Sequence, residues 1–146
     1  MIALLAALKE EASGLQRRMA LAPEAVAGLC GPAYTGEYRG KPVVLAVTGM
    51  GQQRAEAGVD AVLARFRITA MISIGFSGAL ERQLEVGDLV LASELIGVTG
   101  SSGNEIEPTV YQASQELLRT ATEVLGSTAL RVVSGPTVTA PGVIAT

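Results

Sequence analysis

The sequence IALLAA at Ile2–Ala7 is a continuous apolar run, and the charged residues Lys9–Glu11 follow it after one leucine. An unbroken apolar run of this length predicts a strand that is covered on both faces. The residues after it have helical spacing, with Ala12, Leu15 and Met19 on one face. A buried strand that leads into a helix is typical of an α/β fold.

The same alternation of strands and helices continues along the chain, without an internal repeat or an interdomain linker. The predicted strands are Tyr34–Arg39, Val43–Thr48, Ala70–Ile74, Leu89–Leu95, Leu130–Val133 and Thr137–Thr139, and the later predicted helices are Gln52–Arg67 and Gln112–Leu125. The first two of these strands are expected to form a hairpin through Gly40–Pro42, and Gly97–Thr109 is expected to be a mobile loop. We therefore predict a single α/β domain over residues 1–146, with a largely parallel sheet.

The composition excludes several kinds of chemistry. The chain has 146 residues, 49% of them hydrophobic, and a net charge of -3, which suits one domain with a well-buried core. It contains no histidine, so a Ser-His-Asp triad and a His-ligated metal are excluded. Its single cysteine, Cys30, excludes an intramolecular disulfide and a multi-cysteine zinc site. We expect no metal and no cofactor.

The expected partners are small molecules. Three tyrosines, two phenylalanines and a mildly acidic balance do not favour nucleic-acid binding. The apolar run at Met1–Leu8 is too short to span a bilayer and has no basic region before it. We therefore expect a soluble, cytoplasmic protein without a membrane partner.

Two glycine-rich segments follow predicted strands. Gly49–Gly51 precedes the clearest helix, and Gly75–Ala79 (GFSGA) follows Ala70–Ile74. Ligands of open α/β sheets bind beyond the carboxyl ends of strands, so the two segments predict one crevice. The alternative to a ligand site at Gly49–Gly51 is a tight turn from strand to helix. The alternative at Gly75–Ala79 is close packing of the chain against a neighbouring helix. A dinucleotide site is excluded, because Arg54 stands where its third glycine belongs.

The carboxylates of Glu10 and Glu11 follow the first strand, where the same crevice would open. A carboxylate there can act as a general base. The alternative is an acidic first helical turn that favours the helix dipole, and this is the stronger interpretation for an isolated glutamate pair.

Taken in order, these segments resemble the purine nucleoside phosphorylase/nucleosidase superfamily, closest to its methylthioadenosine/S-adenosylhomocysteine nucleosidase branch. The segments that carry the resemblance are Met1–Glu11, Tyr34–Gly40, Val47–Gly51, Ile74–Ala79 and Val86–Val90. The resemblance implies a three-layer α/β fold with a largely parallel mixed sheet, and cleavage of the bond between a purine and a ribosyl group. It also implies a homodimer or higher oligomer.

The resemblance also implies roles for individual residues. Glu11 matches the glutamate that activates water in the hydrolytic branch, and it is the one catalytic residue we assign. The residues expected to bind substrate are Ala7, Met50, Gly75, Phe76, Ser77, Gly78, Val143 and Ile144. The segment Ala6–Lys9 does not match the arginine-containing phosphate pattern of phosphorolytic members, which favours hydrolysis.

Some residues depart from the family pattern. Phe76 replaces a small serine, and Val143 replaces an aromatic residue that stacks on the purine. The resemblance also implies that relatives continue past the position of residue 146, with a ribose-gripping Met-Glu segment and an aspartate that protonates the purine. We therefore expect the carboxyl-terminal part of the fold to be missing and the 146-residue chain alone to be inactive or nearly so.

Three alternatives stay open. The first is a phosphorylase, or a nucleosidase for another adenosyl or futalosine-type substrate. The second is a nucleoside-binding protein without turnover. The third is a fragment with no independent role.

Overall fold

A computed structural model describes residues 1–98 and 108–140. The strands and helices, numbered in chain order, are β1 Ile2–Ala6, α1 Lys9–Arg18, β2 Ala22–Glu24, β3 Ala33–Tyr38, β4 Lys41–Val47, α2 Gln52–Arg65, β5 Ala70–Ile74, β6 Leu89–Gly97, β7 Thr109–Gln112, α3 Gln115–Leu125 and β8 Val132–Thr139. The chain divides into two compact units, Met1–Ser77 and Gly78–Thr146. A single domain over residues 1–146 stays a prediction.

The first unit contains a five-stranded sheet in the order β2-β3-β4-β1-β5. Strand β1 lies between β4 and β5 and runs parallel to both. The last residue of β1, Ala6, is in register with Val47 of β4 and with Ile74 of β5. All three parallel strands therefore end at the same edge of the sheet.

Helices cover both faces of this sheet. On one face, Leu4 and Leu45 pack with Ala12 of α1. On the other face, Leu5 and Val44 pack with Val62 of α2, which is fully buried. The first unit therefore has three layers, as the continuous apolar run of β1 predicts.

The hairpin between β3 and β4 is tighter than expected. Its loop consists of Arg39 and Gly40, with φ angles of 49° and 73°. Tyr38 pairs with Lys41, so Lys41 and Pro42 belong to β4 and not to the turn. Two residues with positive φ form a type I′ turn, whose twist matches that of the strands.

The second unit contains a three-stranded sheet in the order β7-β6-β8, with β8 parallel and β7 antiparallel to β6. Two predicted strands are in fact one, β8, which runs through Gly135 and Pro136. The proline is tolerated because it lies where the register shifts between Ala92 and Glu94. Strand β7 was not predicted. Helix α3 starts later than predicted, because the side chain of Ser114 caps it by accepting the N–H of Leu117.

The structure confirms the α/β class. Both sheets are mixed, and their parallel pairs are β1 with β4, β1 with β5 and β6 with β8. Most of the expected loop Gly97–Thr109 lies outside the described residues. None of the helices within residues 1–98 and 108–140 is both long enough and apolar enough to cross a membrane.

Candidate active site

The candidate site lies at the carboxyl edge of the parallel strands in the first unit. Ala7 follows β1, Gly49–Gly51 lies just beyond β4, and Gly75–Ser77 follows β5. Because the three strands end in register, the segments after them emerge at one edge. The two glycine-rich segments and Glu11 were expected to share this edge of the sheet.

The carboxylate of Glu11 accepts three backbone N–H groups at this edge. Its Oε2 atom accepts the N–H groups of Ala7 and Leu8, both at 2.9 Å. Its Oε1 atom accepts the N–H of Phe76 at 3.0 Å. The side chain is half-buried and lies in the first turn of α1, where the helix dipole favours negative charge.

Helix capping accounts for only part of this arrangement. Glu11 is the third residue of α1, and a glutamate there commonly accepts the N–H of the residue that precedes the helix. That explains the bond from Leu8. It does not explain the bond from Phe76, which is 65 residues away in sequence. The carboxylate therefore joins the end of β1 to the end of β5.

Gly75 provides the space that this carboxylate occupies. A Cβ atom at position 75 would lie 2.9 Å from Oε1 of Glu11 and 3.3 Å from its Cδ. Contacts under 3.0 Å essentially do not occur for real Cβ atoms, so any larger residue would force the carboxylate or the strand end to move. The structure therefore brings the predicted residues Ala7, Glu11, Gly75 and Phe76 together.

Two apolar side chains are exposed at the same edge. Phe76 is 81% exposed and Met50 is 64% exposed. Met50 lies between Gly49 and Gly51, whose φ angles of 89° and 97° turn the chain sharply from β4 into α2. Exposed apolar side chains beside a polar group are typical of a ligand-binding surface.

Four predicted site residues remain, and the structure describes two of them. Ser77 is exposed and is the last residue of the first unit, whereas Gly78 is the first residue of the second. Val143 and Ile144 lie outside the described residues. A cavity of about 200 Å³ in the first unit is lined by Lys9, Ala12 and Tyr34 among others, and not by Glu11.

Within the described ranges, no three His, Cys, Asp or Glu side chains lie close enough together to hold a metal ion. The groups that the structure assembles around Glu11 are its carboxylate and the backbone amides of Ala7, Leu8 and Phe76.

Two contributors to this edge were missed by the sequence analysis. The amide of Leu8 holds Glu11, and the position of Glu11 in the first helical turn is the signal that could have identified it. Buried Thr48 extends the pairing of β4 with β1, because its N–H donates to the carbonyl of Ala6 at 2.9 Å. Its hydroxyl lies 3.2 Å from the carbonyl of Gly49. No local pattern marks Thr48.

Comparison with known sequences identifies relatives that are nucleosidases. The chain is 31% identical over 110 residues to 5'-methylthioadenosine/S-adenosylhomocysteine nucleosidase of Halalkalibacterium halodurans, which covers 75% of the chain and 45% of that protein. It is also 31% identical over 128 residues to the nucleosidase of the same name from Listeria monocytogenes, with coverage of 82% and 54%. The chain thus spans about half the length of these relatives.

Solved structures share the fold. Futalosine hydrolase of Helicobacter pylori matches with a TM-score of 0.86 at 18% identity, over 99% of this chain and 68% of that one. The 5'-methylthioadenosine/S-adenosyl homocysteine nucleosidase of Campylobacter jejuni matches with a TM-score of 0.83 at 23% identity, over 98% and 66%. The model of one family, described as the phosphorylase superfamily, matches residues 1–146. This match covers the whole chain, which therefore belongs to the phosphorylase superfamily.

Proposed function

We propose that the protein is a nucleosidase that hydrolyses the N-glycosidic bond of adenosyl thionucleosides and releases adenine. Support comes from the relatives at 31% identity, whose names specify methylthioadenosine and S-adenosylhomocysteine. The observation that carries the proposal is the carboxylate of Glu11, held by three amides at the strand edge. A carboxylate so fixed, beside exposed apolar side chains, suits base chemistry on a bound nucleoside.

In this mechanism Glu11 removes a proton from water. The water oxygen forms a bond to the anomeric carbon of the ribosyl group as the N-glycosidic bond breaks. The departing purine keeps the bonding electron pair and takes up one proton. The hydroxyl group of the water therefore ends on the sugar and a proton ends on the base. The transition state has oxocarbenium character, and a nearby carboxylate stabilises the positive charge on the sugar.

The exposed side chains of Met50 and Phe76 are proposed to cover the ribosyl group and the base. A bound nucleoside would bury these apolar surfaces, which are otherwise open to water. The resemblance described above assigns substrate contacts to Ser77, Gly78, Val143 and Ile144 as well. The bulky Phe76 is proposed to narrow the pocket relative to members with serine at that position.

The finer properties are also proposals. We place the protein in the cytoplasm, as a homodimer or higher homo-oligomer that acts in purine nucleoside metabolism. The family resemblance supports the oligomer. Light scattering of the purified full-length protein measures its mass directly, and a strictly monomeric, active protein would contradict the oligomer.

The experiment that tests the proposed function is adenine release from methylthioadenosine by the full-length protein, with and without inorganic phosphate. Hydrolysis predicts release that is independent of phosphate. Release that requires phosphate would instead identify a phosphorylase. Thermal stabilisation by methylthioadenosine without any product would identify a nucleoside-binding protein.

A further inference from the structure

The four acceptor sites of a carboxylate are unequally used in Glu11. A carboxylate oxygen accepts about two hydrogen bonds. The Oε2 atom already has two donors, the amides of Ala7 and Leu8. The Oε1 atom has one, the amide of Phe76. Counting the donors among the described residues, Oε2 has both of its acceptor positions in use, whereas Oε1 has one left. A water molecule can therefore donate to Oε1.

The position of Oε1 depends on residue 75. The chain passes so close to the carboxylate that a Cβ atom at Gly75 would lie 2.9 Å from Oε1. The same passage delivers the N–H of Phe76 to that oxygen at 3.0 Å. A side chain at position 75 would therefore push Oε1 of Glu11 away from the N–H of Phe76.

We propose that Oε1 is the oxygen of Glu11 that takes the proton from water, and that Gly75 is a positioning residue that holds Oε1 in place. This inference rests on the proposed function. It assigns Gly75 a role through Glu11, in addition to the substrate contact that the resemblance implies. A proton acceptor must be placed accurately, because a displacement of about 1 Å can reduce a rate by about 100-fold.

The test is Gly75→Ala in the full-length protein, with Gly14→Ala as the matched control. A Cβ atom at Gly14, on the same helix as Glu11, would meet nothing within 4 Å. We expect Gly75→Ala to lower kcat by about 10- to 100-fold with little change in KM. We also expect the amide of Phe76 to exchange with solvent about tenfold faster, because it loses a charged acceptor. Gly14→Ala should change neither quantity.

A double-mutant cycle separates positioning from general damage to the fold. Asp at position 11 is one methylene shorter, so its carboxylate retreats from position 75. In the Glu11→Asp background, Gly75→Ala should therefore reduce kcat by much less than it does alone. Equal effects of Gly75→Ala in both backgrounds would overturn the proposal.

A second variant keeps the test decisive if Gly75→Ala does not fold. In Glu11→Gln the carboxamide oxygen can still accept from Ala7 and Leu8, but its NH₂ group would face the N–H of Phe76. We expect faster exchange at Phe76 alone, with Ala7 and Leu8 unchanged. Unchanged exchange at Phe76 would overturn the proposal.

The amide readout also separates this inference from the proposed function. If the wild-type protein releases no adenine and yet Phe76 responds as expected, the nucleosidase proposal fails and the positioning of Glu11 by Gly75 is supported. If adenine is released but Gly75→Ala leaves both kcat and exchange at Phe76 unchanged, the positioning proposal fails alone.

Discussion

At the scale of single residues, backbone groups rather than side chains hold the candidate base. The carboxylate of Glu11 is satisfied by the amides of Ala7, Leu8 and Phe76. These three amides lie within two residues of the ends of β1 and β5, so the strands limit their movement. Such fixed donors cost little reorganisation, which favours an accurately placed base.

Gly58 shows a second close approach, in this case between α2 and the end of β4. A Cβ atom there would lie 2.6 Å from Cγ2 of Thr48 and 2.9 Å from its Cβ. Because Thr48 is buried and cannot move away, Gly58→Ala is expected to destabilise the protein by about 1–3 kcal/mol in urea denaturation. Gly14→Ala is the control and should be neutral or stabilising by up to about 1 kcal/mol. A stabilising Gly58→Ala would show that α2 does not pack this closely.

The sequence predicts which residues belong to the candidate site better than it predicts the contacts between them. The segment Gly75–Ala79 and the pair Glu10 and Glu11 were candidates from the residues alone, although the helix dipole was the stronger interpretation of the pair. The site roles of Glu11, Gly75 and Phe76 were implied by the family resemblance. The bond between Glu11 and Phe76 was not predictable, since it joins residues 65 apart. It depends on the register of β1 with β5, and no local pattern encodes that register.

At the scale of elements, the β3–β4 hairpin depends on the backbone of its loop. Gly40 has a φ of 73°, and a Cβ atom there would meet nothing within 4 Å. Gly40→Ala should therefore cost about 1–2 kcal/mol through backbone strain alone. Gly14→Ala is the control in thermal denaturation, because both sites have open space and only Gly40 of the two has a positive φ. As a substitution within a helix, the control should be neutral or stabilising. Equal stability of the two variants would contradict the turn geometry.

The elements that the sequence predicted well are those with long apolar patterns. Strand β5 has the predicted bounds, and α2 is two residues shorter than its predicted range Gln52–Arg67. Strand β2 was not predicted; it is a three-residue strand at the sheet edge that contains Pro23. Strand β8, which contains Pro136, was predicted as two separate strands. Short strands that contain proline depend on their neighbours, which the local sequence does not specify.

At the scale of the whole molecule, each compact unit contains a hydrogen bond between residues far apart in sequence. In the first unit this bond joins Glu11 to Phe76, and in the second it joins Asp88 to Arg131. In the second unit, the Asp88 carboxylate accepts from the Arg131 guanidinium at 2.9 Å and from the N–H of Glu85 at 2.9 Å. The Asp88 side chain is only 9% exposed, whereas that of Arg131 is 50% exposed. The same guanidinium donates to the carbonyl of Gln83, so the turn before β6 is joined to the residue before β8.

Removal of this carboxylate is expected to weaken the second unit. Asp88→Ala should lower the free energy of unfolding by about 1–3 kcal/mol, because two charge-assisted hydrogen bonds are lost. Glu123→Ala is the control, since Glu123 forms an exposed ion pair with Arg119 at 3.4 Å, and it should change stability by less than about 0.5 kcal/mol. Urea denaturation measures both, and similar values for the two variants would refute a structural role for Asp88.

The most direct test of the proposed chemistry compares Glu11→Gln with Glu10→Gln in adenine release by the full-length protein. The two substitutions remove the same charge from adjacent residues of one helical turn, but only Glu11 accepts N–H groups from Ala7 and Phe76. Loss of a general base lowers kcat by about 100- to 10,000-fold. We therefore expect Glu11→Gln to lower kcat by at least about 100-fold, and Glu10→Gln to lower it by less than about threefold. A Glu11→Gln protein that releases adenine at nearly the wild-type rate would contradict the assignment of Glu11 as the base.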